Sequence, residues 1–431
     1  MLKLILKNLW ARRRRNGWLL AELILVSIVS WVILDPVIVV THDRNIPLGY
    51  DADRLCVVSM GVLQPQAPGY DRQAEDSAVV MDNYLLFVRR IKDYPGVELV
   101  TPLPSFCYPN SQGNSNVSVA AVGDTLDTSA MCMEFLPHTQ FFETYGFRSG
   151  KGMTPEQLSD YDYTSNDIVI TENMLEDFFH SDEPHGKRCW YSSDEDTTYL
   201  PVIGVVGTFK AYSEWRPVPV MFRPVLSINI SDLLEDAQIL IRLKKDVSME
   251  RFMHDFRPWM VKELRAGNLF ARNIQSYEKL IADREYAGAT SIYRRNLAMA
   301  AFFLINLCLG VIGTFWLQTR TRREEVGVML SFGGTPKHIV RLLMGEGTVL
   351  TVIAVFTGCI IYLQYALKEG LVQAQNWVQS TETYWVSDFT LHFLGVSFII
   401  LFIMLAVVLV GIYIPARRIS RIPPTEALRD E

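Results

Sequence analysis

The sequence predicts an α-helical membrane protein with four transmembrane helices and a large α+β domain inserted between helices 1 and 2. Three observations predict this fold: four apolar runs, positively charged flanks, and a long segment of mixed strand and helix patterns between the first two runs. The 431 residues are 49% hydrophobic and 20% charged, with a mean hydropathy of +0.13, as expected for spans combined with a large soluble part. The net charge of −6 argues against a nucleic-acid partner.

The first apolar run, residues 18–40, follows Lys3, Lys7 and four consecutive arginines. A signal peptide also begins with positive charge, but this run has the roughly 20 residues that cross the hydrocarbon core, and no small-residue cleavage site follows. We therefore expect an uncleaved span. Glu22 and Asp35 are expected near its two interfaces, and Asp35-Pro36 is expected to mark the exit from the bilayer.

The other three predicted spans cover residues 297–317, 348–367 and 391–413. Basic residues flank the runs on one side; they are Arg12 to Arg15, Arg320, Arg322, Arg323, Lys337, Arg341, Arg417, Arg418 and Arg421. The loop 368–390 carries one lysine and three acidic residues. The positive-inside rule therefore places both termini, the segment 318–347 and the tail 414–431 in the cytoplasm. The centres of spans 2 to 4 carry no charged residue, which disfavours an ion-coupled carrier.

Residues 41–285 are expected outside the cytoplasm as an α+β domain large enough for two subdomains. Periodicity predicts strands at 54–60, 97–101, 116–122, 167–171, 200–208 and 238–243, and helices at 77–94, 172–179 and 248–265. Thr171 is a plausible N-cap, and Phe252, Phe256, Met260 and Leu264 mark a buried helix face. A helical pattern over 278–296 predicts a stalk that leads into the second span, within a stalk-and-span segment 286–317.

Four cysteines lie in this domain: Cys56, Cys107, Cys132 and Cys189. They allow one or two disulfides with three complete pairings, or four buried thiols, and the sequence leaves these alternatives open.

No catalytic motif is present. The sequence lacks a phosphate-binding loop, H-E-x-x-H, C-x-x-C and G-x-S-x-G, and His138, His180 and His185 lack metal-ligand spacing. We therefore expect no catalytic, metal or cofactor-binding residue, and any ATPase must be a separate polypeptide.

The charged hairpin, defined as residues 320–347, lies between two apolar runs. Residues 324–330 can form a short helix, Gly333-Gly334 provides a positive-φ stop, and Thr335-Pro336 is an N-cap and N1 pair that starts the next helix. Such a rigid plug fits the groove of a partner protein. The alternative is a hairpin that contacts only lipid headgroups, and the residues themselves leave both open.

Four segments resemble FtsX-like permeases of ABC transporters, of the MacB and LolC/LolE type. RTRREEVGVMLSFGGTPK in the hairpin is similar to the family's cytoplasmic loop, IPARRISRIPPTEALRDE to its closing segment, and KNLWARRRRNGW to its amphipathic N-terminal helix, here residues 1–17. QFFETYGFRSGKGM, NDIVITENMLEDFFHSDEPHGKRCW and YLPVIGVVGTF resemble the MacB-like periplasmic core domain, in that order. Residues 50–77 and the loop near Asp194 match nothing assigned, and Phe332-Gly333-Gly334 replaces the usual Leu-Gly-Ala.

The resemblance implies a type VII ABC system in the bacterial inner membrane, with the domain 41–285 in the periplasm. Two permease chains, identical or different, would bind a cytoplasmic ABC-type ATPase, which hydrolyses ATP, and would pass its movement to the periplasmic domains by mechanotransmission. Export, efflux or lipoprotein handling would follow, with membrane lipid and possible adaptor and outer-membrane channel partners. Regulation of cell-wall hydrolases, as in FtsX itself, is the alternative within the family, and a membrane-anchored sensor is a rival outside it.

The resemblance also makes ATPase docking the preferred interpretation of the charged hairpin. The predicted docking residues are Arg322, Arg323, Glu324, Glu325, Val326, Met329, Leu330, Gly333, Gly334, Thr335, Pro336 and Lys337.

Overall fold

A computed structural model describes residues 7, 10–11, 13–103, 107–111, 113, 115–122, 128–180, 183–193, 196–287, 289–320, 323–371 and 384–421. The chain divides into two units. The membrane unit comprises Met1–His42, Ser291–Gln373 and Thr383–Glu431, and the inserted domain comprises Asp43–Thr290.

Within its described residues, the membrane unit contains four helices that are long and apolar enough to cross a bilayer. They are α1 (Arg13–Asn45), α9 (Ala289–Arg320), α11 (Pro336–Glu369) and α12 (Phe389–Ile419). A shorter helix, α10 (Arg323–Ser331), stands between α9 and α11. The four-span fold class predicted from the sequence is therefore confirmed. Most of the predicted amphipathic helix 1–17 and the end of the tail lie outside the described residues.

Glycines bring the membrane helices close together. A Cβ atom at Gly358 of α11 would lie 2.7 Å from Ser27 Oγ of α1, and one at Gly347 would lie 2.0 Å from Ile412 Cδ1 of α12. Trp31 of α1 stacks on two aromatic rings, with centroid distances of 4.6 Å to Tyr362 and 5.1 Å to Phe393. Close backbone approach and aromatic packing thus join α1, α11 and α12 in one buried cluster.

The described part of the inserted domain contains two sheets, and the first is a five-stranded antiparallel sheet. Its order is β10-β11-β1-β9-β2, with bounds β1 Leu55–Val62, β2 Val97–Leu103, β9 Gln238–Leu243, β10 Arg265–Ala266 and β11 Leu269–Ser276. Helices α2 (Ser77–Lys92), α6 (Ile230–Asp236) and α7 (Met249–Glu263) accompany it. The predicted α7 face is confirmed, because Phe252, Phe256, Met260 and Leu264 are all buried in the core that these elements share.

The second sheet is a closed six-stranded barrel. Its order is β3-β4-β8-β5-β7-β6, with bounds β3 Ser115–Ala121, β4 Thr128–Phe135, β5 Ile168–Thr171, β6 Arg188–Ser193, β7 Asp196–Val206 and β8 Val220–Pro224. Helices α3 (Phe141–Tyr145), α4 (Pro155–Asp160) and α5 (Glu172–Phe179) follow its strands in the chain. Closure pairs the edge strands, so the barrel has no free edge. The last helix of the domain is α8 (Tyr277–Ala287), and residue 288, between α8 and α9, lies outside the described residues.

Two local predictions need correction or refinement. Thr171 occupies the N-cap position of α5, but its side chain makes no capping hydrogen bond. Its hydroxyl instead exchanges hydrogen bonds with the backbone of Val220 on β8, because β5 and β8 pair in the barrel wall. No disulfide joins the cysteines of the described residues, and Cys56, Cys132 and Cys189 are buried.

Candidate functional site

The turn of the charged hairpin is built by backbone hydrogen bonds at the end of α10. Gly333 has φ +88°, a left-handed conformation that glycine adopts without strain. The Gly333 amide donates to Leu330 O at 3.1 Å and the Gly334 amide donates to Met329 O at 2.9 Å. This pair of bonds is the Schellman motif, which satisfies the last carbonyls of a helix. The predicted positive-φ stop is confirmed at Gly333.

The second half of the turn starts α11. Thr335 is the N-cap, its Oγ1 accepts from the His338 amide at 3.3 Å, and Pro336 occupies the first turn. A fixed φ at Pro336 and a satisfied amide at His338 hold the start of the helix in one conformation. The hairpin tip is therefore a defined structure between two capped helices.

The short helix α10 divides its apolar residues between two faces. Val326 is buried and Leu330 is partly buried, and both pack in the membrane-unit core that includes Ile339 and Leu343 of α11. Val328 and Met329 are exposed, and Phe332 in the turn is 89% exposed. The inward face anchors the hairpin to its own unit, and the outward face presents an apolar patch with Phe332 at its tip.

The structure places most of the predicted docking residues on this hairpin. Gly333, Gly334, Thr335 and Pro336 form the turn, while Glu325 and Lys337 are exposed on either side of it. Arg323 and Glu324 lie in α10, but their side chains, and Arg322 entirely, lie outside the described residues. Val326 is turned inward, and Phe332 is an exposed residue that the sequence interpretation left out of the docking set.

A buried pair in the membrane unit was not predicted. Asp35 Oδ1 lies 2.6 Å from His392 Nε2, and both side chains are fully buried. The side chain of Asp35 is therefore buried against His392 and not exposed as expected, while α1 continues through Pro36 to Asn45, so the predicted exit at Asp35-Pro36 does not coincide with a helix end. Trp31, four residues before Asp35, stacks on Tyr362 and Phe393, so this part of α1 is packed against α11 and α12.

The sequence did contain a signal for this pair. The predicted topology puts Asp35 near the end of the first span and His392 near the start of the fourth, on the same side of the membrane. The third span was predicted to start at residue 348, which places Glu346 outside it. In the structure the helix α11 begins at Pro336, and Glu346 is buried within this helix.

Within the described parts of the chain, no group of three or more His, Cys, Asp or Glu side chains is arranged to hold a metal ion.

The segment that contains the charged hairpin matches a family model. Residues 297–424, which include it, match the family model described as FtsX-like permease C-terminal. Comparison with curated proteins gave no match.

Three solved structures are similar to about half of the chain. A domain of a putative permease protein from Porphyromonas gingivalis has 16% identity and a TM-score of 0.33, and the alignment covers 53% of this chain and 92% of that one. The periplasmic region of MacB from Actinobacillus actinomycetemcomitans has 13% identity and a TM-score of 0.30, with 55% and 94% covered. The extracellular domain of the noncanonic ABC-type transporter YknZ from Gram-positive bacteria has 14% identity and a TM-score of 0.25, with 50% and 100% covered.

The predicted resemblance is thus confirmed where the family model matches, and residues 297–424 are similar to the FtsX-like permease C-terminal domain.

Proposed function

We propose that this chain is the membrane subunit of an ABC transporter and that its charged hairpin docks a separate ABC-type ATPase. The observation that carries the proposal is the outward patch of Val328, Met329 and Phe332 beside a turn fixed by the Schellman motif and the Thr335 cap. An exposed aromatic ring on a rigid turn suits insertion into the pocket of a protein partner, since buried aromatic anchors contribute most of the binding energy at interfaces.

The charges around the patch fit a docking surface. Glu325 and Lys337 are exposed beside the turn, where charges of both signs would orient a partner during encounter. A hairpin that contacts only lipid headgroups would need basic residues but no ordered apolar tip. The match to the permease family over residues 297–424 supports the same partner class.

In this proposal the ATPase closes and opens in the cytoplasm, the four membrane helices carry its movement, and the inserted domain responds in the periplasm of the inner membrane. The chain itself binds no nucleotide. The work done by the inserted domain would be export or lipoprotein handling, in a complex of two permease chains.

The proposal is tested by purifying the tagged full-length chain from its native host and identifying co-purifying proteins by mass spectrometry. We expect a polypeptide with an ATP-binding cassette. Phe332→Ser should weaken its binding at least tenfold, since a buried aromatic anchor is worth about 2 kcal/mol or more. Charge reversal at Glu324 and Glu325 should weaken it less, through the rate of association.

Val261→Ser is the matched control, because Val261 is an exposed apolar residue of the inserted domain. It should leave ATPase binding unchanged. If the ATPase binds equally well after deletion of residues 324–335, the docking proposal is wrong.

A further inference from the structure

A cluster of charged and polar residues connects the two ends of the inserted domain. We call it the clasp and define it by Asp43, Arg44, Lys210, Ser213, Glu214, Arg216, Arg284 and Glu285. Its members come from three segments: the end of α1, residues 207–216 between β7 and β8, and α8. The first segment continues from the first membrane helix, and the third precedes α9.

The end of α1 is held by two buried cations. Lys210 Nζ donates to Asp43 O at 2.9 Å and to Ile46 O at 3.3 Å. A cation at this position bonds to carbonyl groups that have no partner within a helix. It also interacts favourably with the negative end of the helix dipole. Arg216 Nε lies 3.2 Å from Asp43 Oδ1, and both side chains are buried. The last turn of α1 is therefore fixed through its backbone and through a side chain.

The segment 207–216 is itself part of the barrel core. Phe209 is buried and lies 5.7 Å from Phe222 of β8 by ring centroids. Ala211 and Tyr212 are buried in the same core. A segment that is bonded to Lys210 or Arg216 is therefore connected to the barrel.

Helix α8 is bonded to the same segment. Arg284 Nη1 donates to both carboxylate oxygens of Glu214, at 3.0 and 3.1 Å, and the Arg284 guanidinium lies 3.6 Å from the centroid of the Tyr212 ring. Ser213 Oγ donates to Glu285 Oε1 at 2.5 Å. Charge-assisted bonds and cation–π stacking fix α8 in position and orientation.

One ion pair closes the network directly between the two ends. Arg44 Nη2 of α1 lies 3.2 Å from Glu285 Oε2 of α8. Glu285 thus bonds to α1 with one oxygen and to the 207–216 segment with the other. The three segments form a closed triangle in which each side has at least one polar bond.

A contribution to the stability of the domain does not by itself explain why this network is present. Buried ion pairs contribute little net stability compared with apolar packing, because desolvation opposes the attraction, but they fix geometry when all partners are present. Burial lowers the pKa of Lys210 to about 8, against the attraction of Asp43, Glu214 and Glu285. The domain already has hydrophobic cores in both sheets. A network that is unfavourable to desolvate and that joins both ends of the inserted domain to the barrel points to a positioning role.

We propose that the clasp makes the end of α1, helix α8 and the barrel move as one body, so that displacement of either membrane helix is passed to the inserted domain. This inference rests on the proposed function for its source of movement, but the connection itself is a property of the isolated chain. The clasp residues are positioning residues, and none of them binds nucleotide or cargo in this proposal.

The connection is tested first without ATP, by hydrogen exchange on the full-length chain in lipid nanodiscs. Glu285→Gln removes the charge from the residue that bonds to both other segments. We expect exchange to rise at least fivefold in residues 43–48 and 207–216 as well as in α8. Glu98→Gln is the matched control, because Glu98 is also paired with an arginine in the inserted domain. It should leave all three segments unchanged. A rise confined to α8 in the Glu285 variant would overturn the clasp.

The transmission is tested next, on the chain with its co-purified ATPase, by comparing exchange with and without a non-hydrolysable ATP analogue. In the wild type we expect nucleotide-dependent changes in the hairpin and in the inserted domain. In Arg44→Gln/Glu285→Gln the hairpin should respond as before, while the response of the inserted domain should fall at least threefold. An undiminished response there would overturn the transmitting role. Absence of any hairpin response in the wild type would instead contradict the proposed function and leave the outcome of the first test standing.

Discussion

The membrane unit and the inserted domain both bury charged side chains, but they bond them differently. In the membrane unit, Asp35 and His392 are joined by one contact, and Asp35 Oδ2 and His392 Nδ1 make no hydrogen bond to the described residues. In the clasp, Glu285 and Arg284 each bond to two or more groups from different segments. Where a single contact joins two buried residues, removing either residue leaves the other without its partner. In an interlinked network, the remaining bonds still connect the segments when one bond is lost.

The hairpin adds a third case within the membrane unit. Its outward residues have exposed apolar side chains, and its shape depends on local caps. A surface that docks another protein, as proposed for the hairpin, needs a rigid backbone and accessible side chains. A connection within one domain instead needs internal polar groups that are all bonded.

The largest effect is expected at the single contact in the membrane unit. Asp35→Leu leaves His392 buried without its acceptor, and breaking a buried pair in this way costs about 3–5 kcal/mol. We expect a large fall in the thermal unfolding temperature of the full-length chain in detergent. Asp35→Leu/His392→Leu removes both polar groups and should recover most of that loss. A double variant as unstable as the single variant would show that the pair is not the source of the effect.

The second prediction concerns the pH dependence of the clasp. Because the pKa of Lys210 is lowered to about 8 in the folded chain, the folded chain binds fewer protons at this residue than the unfolded chain between about pH 8 and 10.5. The stability of the wild type relative to Lys210→Met should therefore rise with pH across this window. We expect a gain of roughly 2 kcal/mol, since one pKa unit corresponds to about 1.4 kcal/mol.

The measurement is the difference in unfolding temperature between the wild type and Lys210→Met at pH 7.5 and at pH 9.5. Lys210→Arg is the control, because a guanidinium remains charged throughout this range and should show no such gain. A wild-type advantage that stays constant or shrinks at the higher pH would contradict the prediction.

The third prediction separates the hairpin turn from general stability. Gly333→Val forces a branched side chain into φ +88°, with a backbone strain of about 1–2 kcal/mol, and should weaken ATPase binding roughly tenfold by opening the turn. Gly370, at the other end of α11, has φ +84°, and a Cβ atom added there would meet no other atom within 4 Å. Gly370→Val should carry similar strain and leave binding of the purified ATPase unchanged. Equal losses in both variants would assign the effect to folding.

Local features of the fold were predictable from the sequence, and the hairpin turn is the clearest example. Gly333, Thr335 and Pro336 specify the stop and the restart of the helices by interactions that span at most five residues. The strand β9 and the helix α5 were likewise predicted with the bounds that the structure has, because their side-chain periods are complete within each segment.

Features that depend on distant partners were missed. Asp35 and His392 are separated by 357 positions, and Arg44 and Glu285 by 241. Strands β4, β6, β8 and β11 were not predicted, since each acquires its burial from neighbours elsewhere in the chain, as when β4 pairs in parallel with β8. Phe332 was omitted from the docking set because exposure of an apolar side chain is decided by packing, and its sequence neighbours Val326 and Leu330 are turned inward.

The smallest effect is expected at the cap of α11. Thr335→Ala removes the acceptor for the His338 amide, and loss of an N-cap typically costs about 1 kcal/mol. Because Pro336 and the Schellman motif still shape the turn, we expect hydrogen exchange at His338 and Ile339 to rise about fivefold while ATPase binding weakens by less than fivefold. Thr357→Ala is the matched control, since its hydroxyl donates to Ile353 O in the middle of the same helix. If Thr335→Ala abolished binding while Thr357→Ala had no effect, the threonine hydroxyl itself would contact the partner, and the docking surface would extend beyond the apolar patch to the cap.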